Sequence, residues 1–427
     1  MNIYFKNIRV IDPSQKMDER VNLWIRDGII IHMKNNDIKC DDLTKVVDGS
    51  NLVCSPGFFD MHVHLREPGF EYKETIETGC NAAANGGFTG LCCMPNTEPA
   101  VDNPAVVDYI KNKSHNKLVN VYIAAAITQN REGKYLAPMF ELNEHGVVMF
   151  TDDGSSVTSA DIIRRAFEYA STRDLLVSEH CECHELTNGF SANEGVISSK
   201  LGLKGYPSVA EEMIVHRDIT LSEYCGNCRY HVSHISTKGS VRIIKEAKDR
   251  GLRVTCEVTP HHFTLPDDTL TKYDTNYKMN PPLRTKEDIE ALVIGLKDGT
   301  IDCIATDHAP HALHEKQVEF ERAPNGIIGL ETALGVSLTY LVHTGIINLS
   351  ELVNKMSVNP RKILNLPQIH IKESEPANLT IFDPDEEWVV NTSHFKSKSK
   401  NSPYNNFRLK GKPKFTINNN QLFETKL

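Results

Sequence analysis

Along the chain the rhythm of hydrophobic positions changes twice. The first 55 residues alternate apolar and polar positions in short runs at 3–11, 21–33 and 46–54, with the turn pairs Asp27-Gly28 and Asp48-Gly49 inside them. Alternation puts every second side chain on one face of a strand, so these runs predict a small sheet. From about residue 58 short, continuously apolar runs take over, at 58–61, 88–93, 119–127, 146–150, 175–177, 230–232, 254–258 and 301–305. Segments of helical period separate them, among them 159–171, 209–224, 240–250 and 286–297, the last opened by the cap residue Thr285 with Glu287 and Asp288 behind it. Strands apolar on both faces and alternating with helices are parallel βαβ units, and this series predicts an α/β fold, a TIM (β/α)8 barrel. Residues 329–366 are helical over enough length for more than one helix. After 366, β-like runs return at 379–382, 388–390 and 414–417 and are expected to pair with the first 55 residues in a small composite β-sandwich domain. The predicted division is 1–55 and 371–427 for the two parts of the sandwich and 56–370 for the barrel. Lys396-Ser397-Lys398-Ser399-Lys400 is expected to be a solvated loop.

The predicted barrel strands end in reactive side chains: His62 and His64, Asn96, Thr128, Asp152 and Asp153, His180, His234, His261, then Asp307 and His308. A TIM barrel gathers the carboxyl ends of its strands on one face, so these residues are expected to converge on one pocket. In Asp60-Met61-His62-Val63-His64 the two imidazoles are two residues apart, and on a strand both point the same way. With His180, His234, Asp153 and Asp307 they make a mixed imidazole and carboxylate set suited to Zn²⁺. Burying that many carboxylates without a cation would be costly.

Composition narrows the class. Of 427 residues, 40% are hydrophobic and 24% charged, which fits a globular chain and neither a disordered nor a fibrous one. The net charge of −9, with no long basic block, argues against nucleic acid as a partner. No apolar stretch reaches membrane-spanning length, and the start Met1-Asn2-Ile3-Tyr4-Phe5 lacks the pattern of a signal peptide, so a cytoplasmic location is expected. Eleven cysteines are then expected to be reduced thiols, Cys225 and Cys228 included.

Several strings carry a family resemblance: residues 58–69 around Asp60-Met61-His62-Val63-His64-Leu65-Arg66, Met94-Pro95-Asn96-Thr97, Thr151-Asp152-Asp153-Gly154, His231-Val232-Ser233-His234, Asn280-Pro281-Pro282-Leu283-Arg284 and Asp307-His308-Ala309-Pro310-His311. In that order, over nearly the whole chain, they closely resemble the bacterial class I dihydroorotases of the amidohydrolase superfamily. The resemblance implies one or two Zn²⁺ per subunit, with His62, His64 and Asp307 on one ion and His180 and His234 on a second. It implies a carboxylate bridge from the fourth strand at Asp153, with Asp152 either structural or supporting the ligands and His231 either in the core or behind the ligands. Hydantoinases, dihydropyrimidinases and allantoinases bridge their metals with a carboxylated lysine there, and residues 146–154 contain no lysine.

The same resemblance implies that Arg66, with Asn96 and His311, clamps a substrate carboxylate, a fork that a guanidinium suits. Asn280 would bond the ring and the main chain of Asn325 and Gly326 would contact it, with His64 also at the substrate. The alternative for Arg66 is a salt bridge to Glu67 or Glu71. The implied reaction is the reversible closure of N-carbamoyl-L-aspartate to (S)-dihydroorotate plus water, the third step of de novo pyrimidine synthesis. Metal-bound hydroxide would be the nucleophile and Asp307 the general base and then acid. Relatives are commonly homodimers, and a non-covalent complex with aspartate transcarbamoylase is a further implied partnership. Residues 312–324 read equally as a lid that orders over substrate or as a surface loop. Two rival readings are a hydrolase of uncharged cyclic ureides, which has no use for Arg66, and an inactive scaffold subunit, which has no use for an intact ligand set.

Overall fold

The computed structural model describes residues 1–36 and 40–427. The alternating runs at the amino end form β1 (Asn2–Asp12), β2 (Met17–Arg26), β3 (Ile29–Lys34), β4 (Lys45–Asp48) and β5 (Val53–Pro56). β1 pairs antiparallel with β2 and runs parallel to β4 and β5. The apolar runs follow as β6 (Phe58–Val63), β7 (Phe88–Cys93), β8 (Asn120–Ala125), β9 (Val147–Phe150) and β10 (Val177–Glu179). A two-stranded excursion, β11 (Ala192–Asn193) with β12 (Gly205–Tyr206), precedes β13 (Tyr230–Val232), β14 (Val254–Val258) and β15 (Cys303–Ile304).

Leaving out β11 and β12, the strands from β6 to β15 form one eight-stranded sheet in chain order. Its ladders are parallel, as strands joined through helices must be. The ring closes just past β15, where Val63 bridges His308 in parallel and the His64 amide donates to the His308 carbonyl at 2.9 Å. Alternate inward side chains, among them Phe59, Met61, Cys92, Met149 and Cys303, fill the barrel axis. The outward ones pack under the helices. Expected caps are present: Ser159 accepts from the Ile162 amide, and Thr285 forms a capping box with Asp288.

The chain ends in β16 (Leu379–Val389), β17 (Arg408–Asn418) and β18 (Gln421–Glu424). β16 pairs antiparallel with β5, so the two ends of the chain share an eight-stranded sheet in the order β18-β17-β16-β5-β1-β2-β3, with β4 beside β1. That sheet bends over its own apolar face: Ile3, Leu23, Leu379 and Ile417 belong to one buried cluster, and the Phe5 and Phe415 rings meet edge-on at 5.5 Å. This is the composite sandwich expected from the sequence.

Residues 396–400 are not a solvated loop. Ser397 and Ser399 are buried, the Ser399 hydroxyl donates to the Lys73 carbonyl at 2.7 Å, and both Ser397 and the Lys398 amide donate to Glu74. A polar string binds here because the barrel offers it a buried carboxylate, which hydrophobic patterning does not register. Among the described residues no disulfide forms, and no helix is long and apolar enough to cross a membrane.

Candidate metal and substrate site

Polar residues at or just beyond the ends of the barrel strands meet above the sheet. His62 lies on β6 and His64 just beyond it, both buried. Asp153 follows β9, His180 follows β10, His234 follows β13 and Asp307 follows β15. Among the described residues three groups could hold a cation, and two of them lie at these strand ends: His62, His64 and Asp153, and Asp153, His180 and His234, with Asp153 common to both; the third is His231, Glu257 and Cys303. Asp153 Oδ1 is 3.2 Å from His62 Nε2 and 3.6 Å from His234 Nε2, while Oδ2 is 3.5 Å from His64 Nε2. Asp307 stands outside the triplets, yet its Oδ1 is 2.9 Å from His64 Nε2 and 3.7 Å from His62 Nε2.

The donor set fits a divalent cation. His62 Nε2 and Asp153 Oδ1 are buried without a hydrogen-bond partner, a costly state for polar atoms that a bound ion relieves. Burial pushes the Asp153 carboxyl up, but His62, His234 and His64 outweigh it and hold it well below the usual carboxylate range. Burial likewise works against a proton on His62, and Asp153 and Glu257 overcome it. The backbone is strained at the same place: Asp307 has φ 47° and His234 φ 29°, left-handed values that a non-glycine residue adopts only where the surroundings impose them.

Beside the ligand cluster lies a cavity of about 200 Å³, and around it the fold assembles every other expected site residue: Arg66, Asn96, Asn280, His311, Asn325 and Gly326, together with His64, Asp153, His180, His234 and Asp307. His64 Nδ1 is 2.8 Å from Asn96 Oδ1, which orients that ring from behind. Arg66 does not reach the cavity by strand parity, since its φ of 64° ends the extended backbone. Its guanidinium is placed instead by an Nε bond of 3.2 Å to the Pro310 carbonyl. Among the described residues no carboxylate lies within ion-pair distance of Arg66: Glu67 is engaged by Lys113 and Tyr109, and Glu71 by the Gly69 amide. Burial lowers the Arg66 pKa to about 10, still charged at neutral pH. His311 Nε2 meets the Asn325 carbonyl at 2.8 Å, and the Gly326 amide donates to Lys278, so these main-chain groups hold the cavity wall together. Gly326 has φ 124°, and a Cβ there would stand 2.7 Å from that of Ala309. Asn280 Oδ1, Asn325 Oδ1 and His311 Nδ1 are buried and unpartnered.

Pattern reading missed several supporting groups. Arg131 donates to the Asp153 carbonyl at 2.9 Å, Glu182 meets both His180 Nε2 at 2.9 Å and Asn280 Nδ2 at 2.8 Å, and Glu257 meets His62 Nδ1 at 2.6 Å. Asn401, from the carboxyl-terminal segment, accepts from the His311 amide and donates to the carbonyls of Ala309 and Gly326 at 3.0 and 3.1 Å. Only Glu182 and Glu257 left a trace in sequence, by strand alternation from His180 and within β14. Asp152 accepts from the Thr128 amide at 3.0 Å and belongs to none of the candidate cation groups.

Imidazoles and carboxylates gathered at the carboxyl end of a (β/α)8 barrel, with a terminal β-sandwich at its side, define a hydrolytic enzyme of the metal-binding amidohydrolase class. Comparison with known proteins narrows this. The family model for dihydro-orotase-like proteins matches residues 51–240. The dihydroorotase of Syntrophus aciditrophicus is 49% identical over 98% of both chains, and that of Acetivibrio thermocellus 48% over 97% of both. The chain belongs to the dihydroorotase family. Among solved structures, an L-hydantoinase (dihydropyrimidinase) from Arthrobacter aurescens superposes with a TM-score of 0.86 at 22% identity, covering 100% of this chain and 96% of that one. A dihydropyrimidinase from Brevibacillus agri gives 0.85 at 20%, covering 100% and 95%. These two share the fold.

Proposed function

We propose that this chain catalyses the reversible cyclisation of N-carbamoyl-L-aspartate to (S)-dihydroorotate with release of water. The observation that carries this reading is Arg66, a half-buried guanidinium that lines the same cavity as the cation triplets and, among the described residues, forms no ion pair. A cavity built for an uncharged ring gives that fork no carboxylate to hold, whereas dihydroorotate supplies one. Asn96 and His311 complete the clamp, and the unpartnered Asn280 Oδ1 suits a ring N–H donor.

Under this reading His62, His64, Asp153, His180, His234 and Asp307 hold one or two Zn²⁺. A bound divalent ion supplies Lewis-acid polarisation of the ring carbonyl and makes water acidic enough to attack near neutral pH. Asp307 moves the proton. Its Oδ1 lies 2.9 Å from His64 Nε2, where the two would share an ion, so Oδ2 is the oxygen left to accept the proton of the attacking water and pass it to the departing ring nitrogen. In the cyclising direction Oδ2 takes the proton from the attacking carbamoyl nitrogen and returns it to a carboxylate oxygen, which leaves as hydroxide and becomes water with a second proton from solvent. Burial favours the neutral acid, but His64 and His62 hold the Asp307 carboxyl below its ordinary range, so it starts as the base.

The test is turnover of dihydroorotate, carbamoyl-aspartate, dihydrouracil and hydantoin by the purified protein, with metal measured on the same sample. Arg66→Met is expected to lower kcat/KM for dihydroorotate by about 100-fold, the effect of removing one partner from a buried charge-assisted pair. Faster turnover of the uncharged rings, or an Arg66→Met variant with unchanged kcat/KM, overturns the reading. The same preparation tests zinc as the ion, and sedimentation tests the homodimer, alone and with aspartate transcarbamoylase.

A further inference from the structure

Glu257 and the groups behind it have no part in the reaction as described, yet they are among the most buried polar residues of the barrel. β14 alternates, so Thr255 and Glu257 both point into the barrel while Val254, Cys256 and Val258 pack outward. Glu257 Oε1 is 2.6 Å from His62 Nδ1, and the same oxygen accepts from the His234 amide at 3.3 Å. Its Oε2 stands 3.4 Å from His231 Nε2, within ion-pair distance, and both atoms are buried without a hydrogen-bond partner. His231 Nδ1 in turn is 2.8 Å from Thr255 Oγ1, in the register that pairs His231 with Thr255 across β13 and β14. Thr255 lines a cleft of about 310 Å³ beside Arg229 and Arg253, at the amino ends of the strands. Four side chains thus cross the barrel from that cleft to the cation triplets.

The geometry points to Glu257 as a positioning residue for the metal centre, held in turn by the Thr255–His231 pair. A carboxylate only accepts, so His62 must donate its Nδ1 proton to Oε1, which leaves the Nε2 lone pair facing Asp153 and an ion. One proton order suits the whole line: the Thr255 hydroxyl donates to His231 Nδ1, which leaves the His231 Nε2 proton facing Glu257 Oε2, and His62 Nδ1 donates to Oε1. That order pins the carboxylate at both oxygens and fixes the tautomer and tilt of His62. Cys303, though near His231 and Glu257, turns its thiol to Met61 Sδ and takes no part.

This inference rests on the metal reading above, and the experiment separates the two. Metal-free protein is titrated with Zn²⁺ against a competing chelator, for wild type, Glu257→Gln, Thr255→Val and Thr255→Ser, with thermal unfolding of each metal-free form as a fold control. Glu257→Gln is expected to weaken zinc binding by about 10- to 100-fold, the range for partners of metal-ligating histidines. Thr255→Val, remote from the ion, weakens it by a smaller factor and Thr255→Ser restores it, a rescue that general loss of packing does not produce. Wild-type zinc affinity in Glu257→Gln overturns the inference. Equal loss in Thr255→Val and Thr255→Ser overturns its outer half, and the Thr255 pair decides if Glu257→Gln fails to fold. A wild-type chain that takes up no zinc overturns the metal reading itself.

Discussion

Asp307 combines a strained backbone, a bond from His64 and a place on the cavity wall. Its replacement by Asn keeps the shape and removes the proton acceptor, so kcat is expected to fall by about 10²- to 10⁴-fold with KM much less changed. Steady-state kinetics in both directions, with metal quantified, check this. Glu74 makes a second residue-scale case, outside the chemistry. It is fully buried and accepts from Thr78, Ser397 and the Lys398 amide, with His308 Nε2 at 3.4 Å. Burial pushes its carboxyl up, but His308 and the hydroxyl donors pull harder and hold it below the ordinary value of 4.5. A carboxyl with a folded pKa below its unfolded one contributes stability above the unfolded pKa, and that contribution disappears as pH falls through the folded value. Glu74→Gln should therefore cost about 3 kcal/mol at pH 7. In urea titrations the gap between variant and wild type should narrow below about pH 4, where the unfolded carboxyl protonates.

Among the elements, the segment from 312 to 326 shows how a polar loop is held over a site. It contains the short helix Leu313–Lys316, and Lys316 turns inward to donate to the carbonyls of Thr275 at 3.0 Å and Pro324 at 2.8 Å. Phe320 is buried in a small cluster with Leu203 and Leu270. The loop is thus anchored at two points and brings Asn325 and Gly326 to the cavity. Lys316→Ala removes the ammonium bonds to the carbonyls of Thr275 and Pro324, at about 1–3 kcal/mol for buried groups. The expected outcome is faster proteolysis within 312–326 and a several-fold higher KM for dihydroorotate. A lid predicts that dihydroorotate slows that cleavage in the wild type, and equal cleavage with and without it favours a static wall.

For the whole molecule, the sandwich and the barrel meet in the catalytic wall through Asn401, which no motif announces. Asn401→Ala removes three bonds to residues 309, 311 and 326, so KM should rise by about 10-fold while metal content stays unchanged, as kinetics and metal analysis on one sample will test. The barrel was legible because its strands are apolar on both faces and each ends in a chemically distinct residue. The terminal sheet was legible because its runs alternate. His62, His64, Asp153, His180, His234 and Asp307 could be named from sequence because metal-ligand chemistry restricts residue type and strand parity restricts direction. What the sequence left open depends on contacts distant along the chain. Glu257 reaches His62 across 195 positions and Ser397 reaches Glu74 across 323; alternation shows which way Glu257 faces, but not its partner, and Ser397 leaves no signature. Arg66 shows the limit most directly: its residue type and place were readable, but a left-handed backbone and a bond to Pro310 aim it. Periodicity and side-chain chemistry determined which elements form and which residues can react. Which of those residues share a proton, a cavity or an ion was decided by tertiary packing, because burial and distance exist only once the chain has closed on itself.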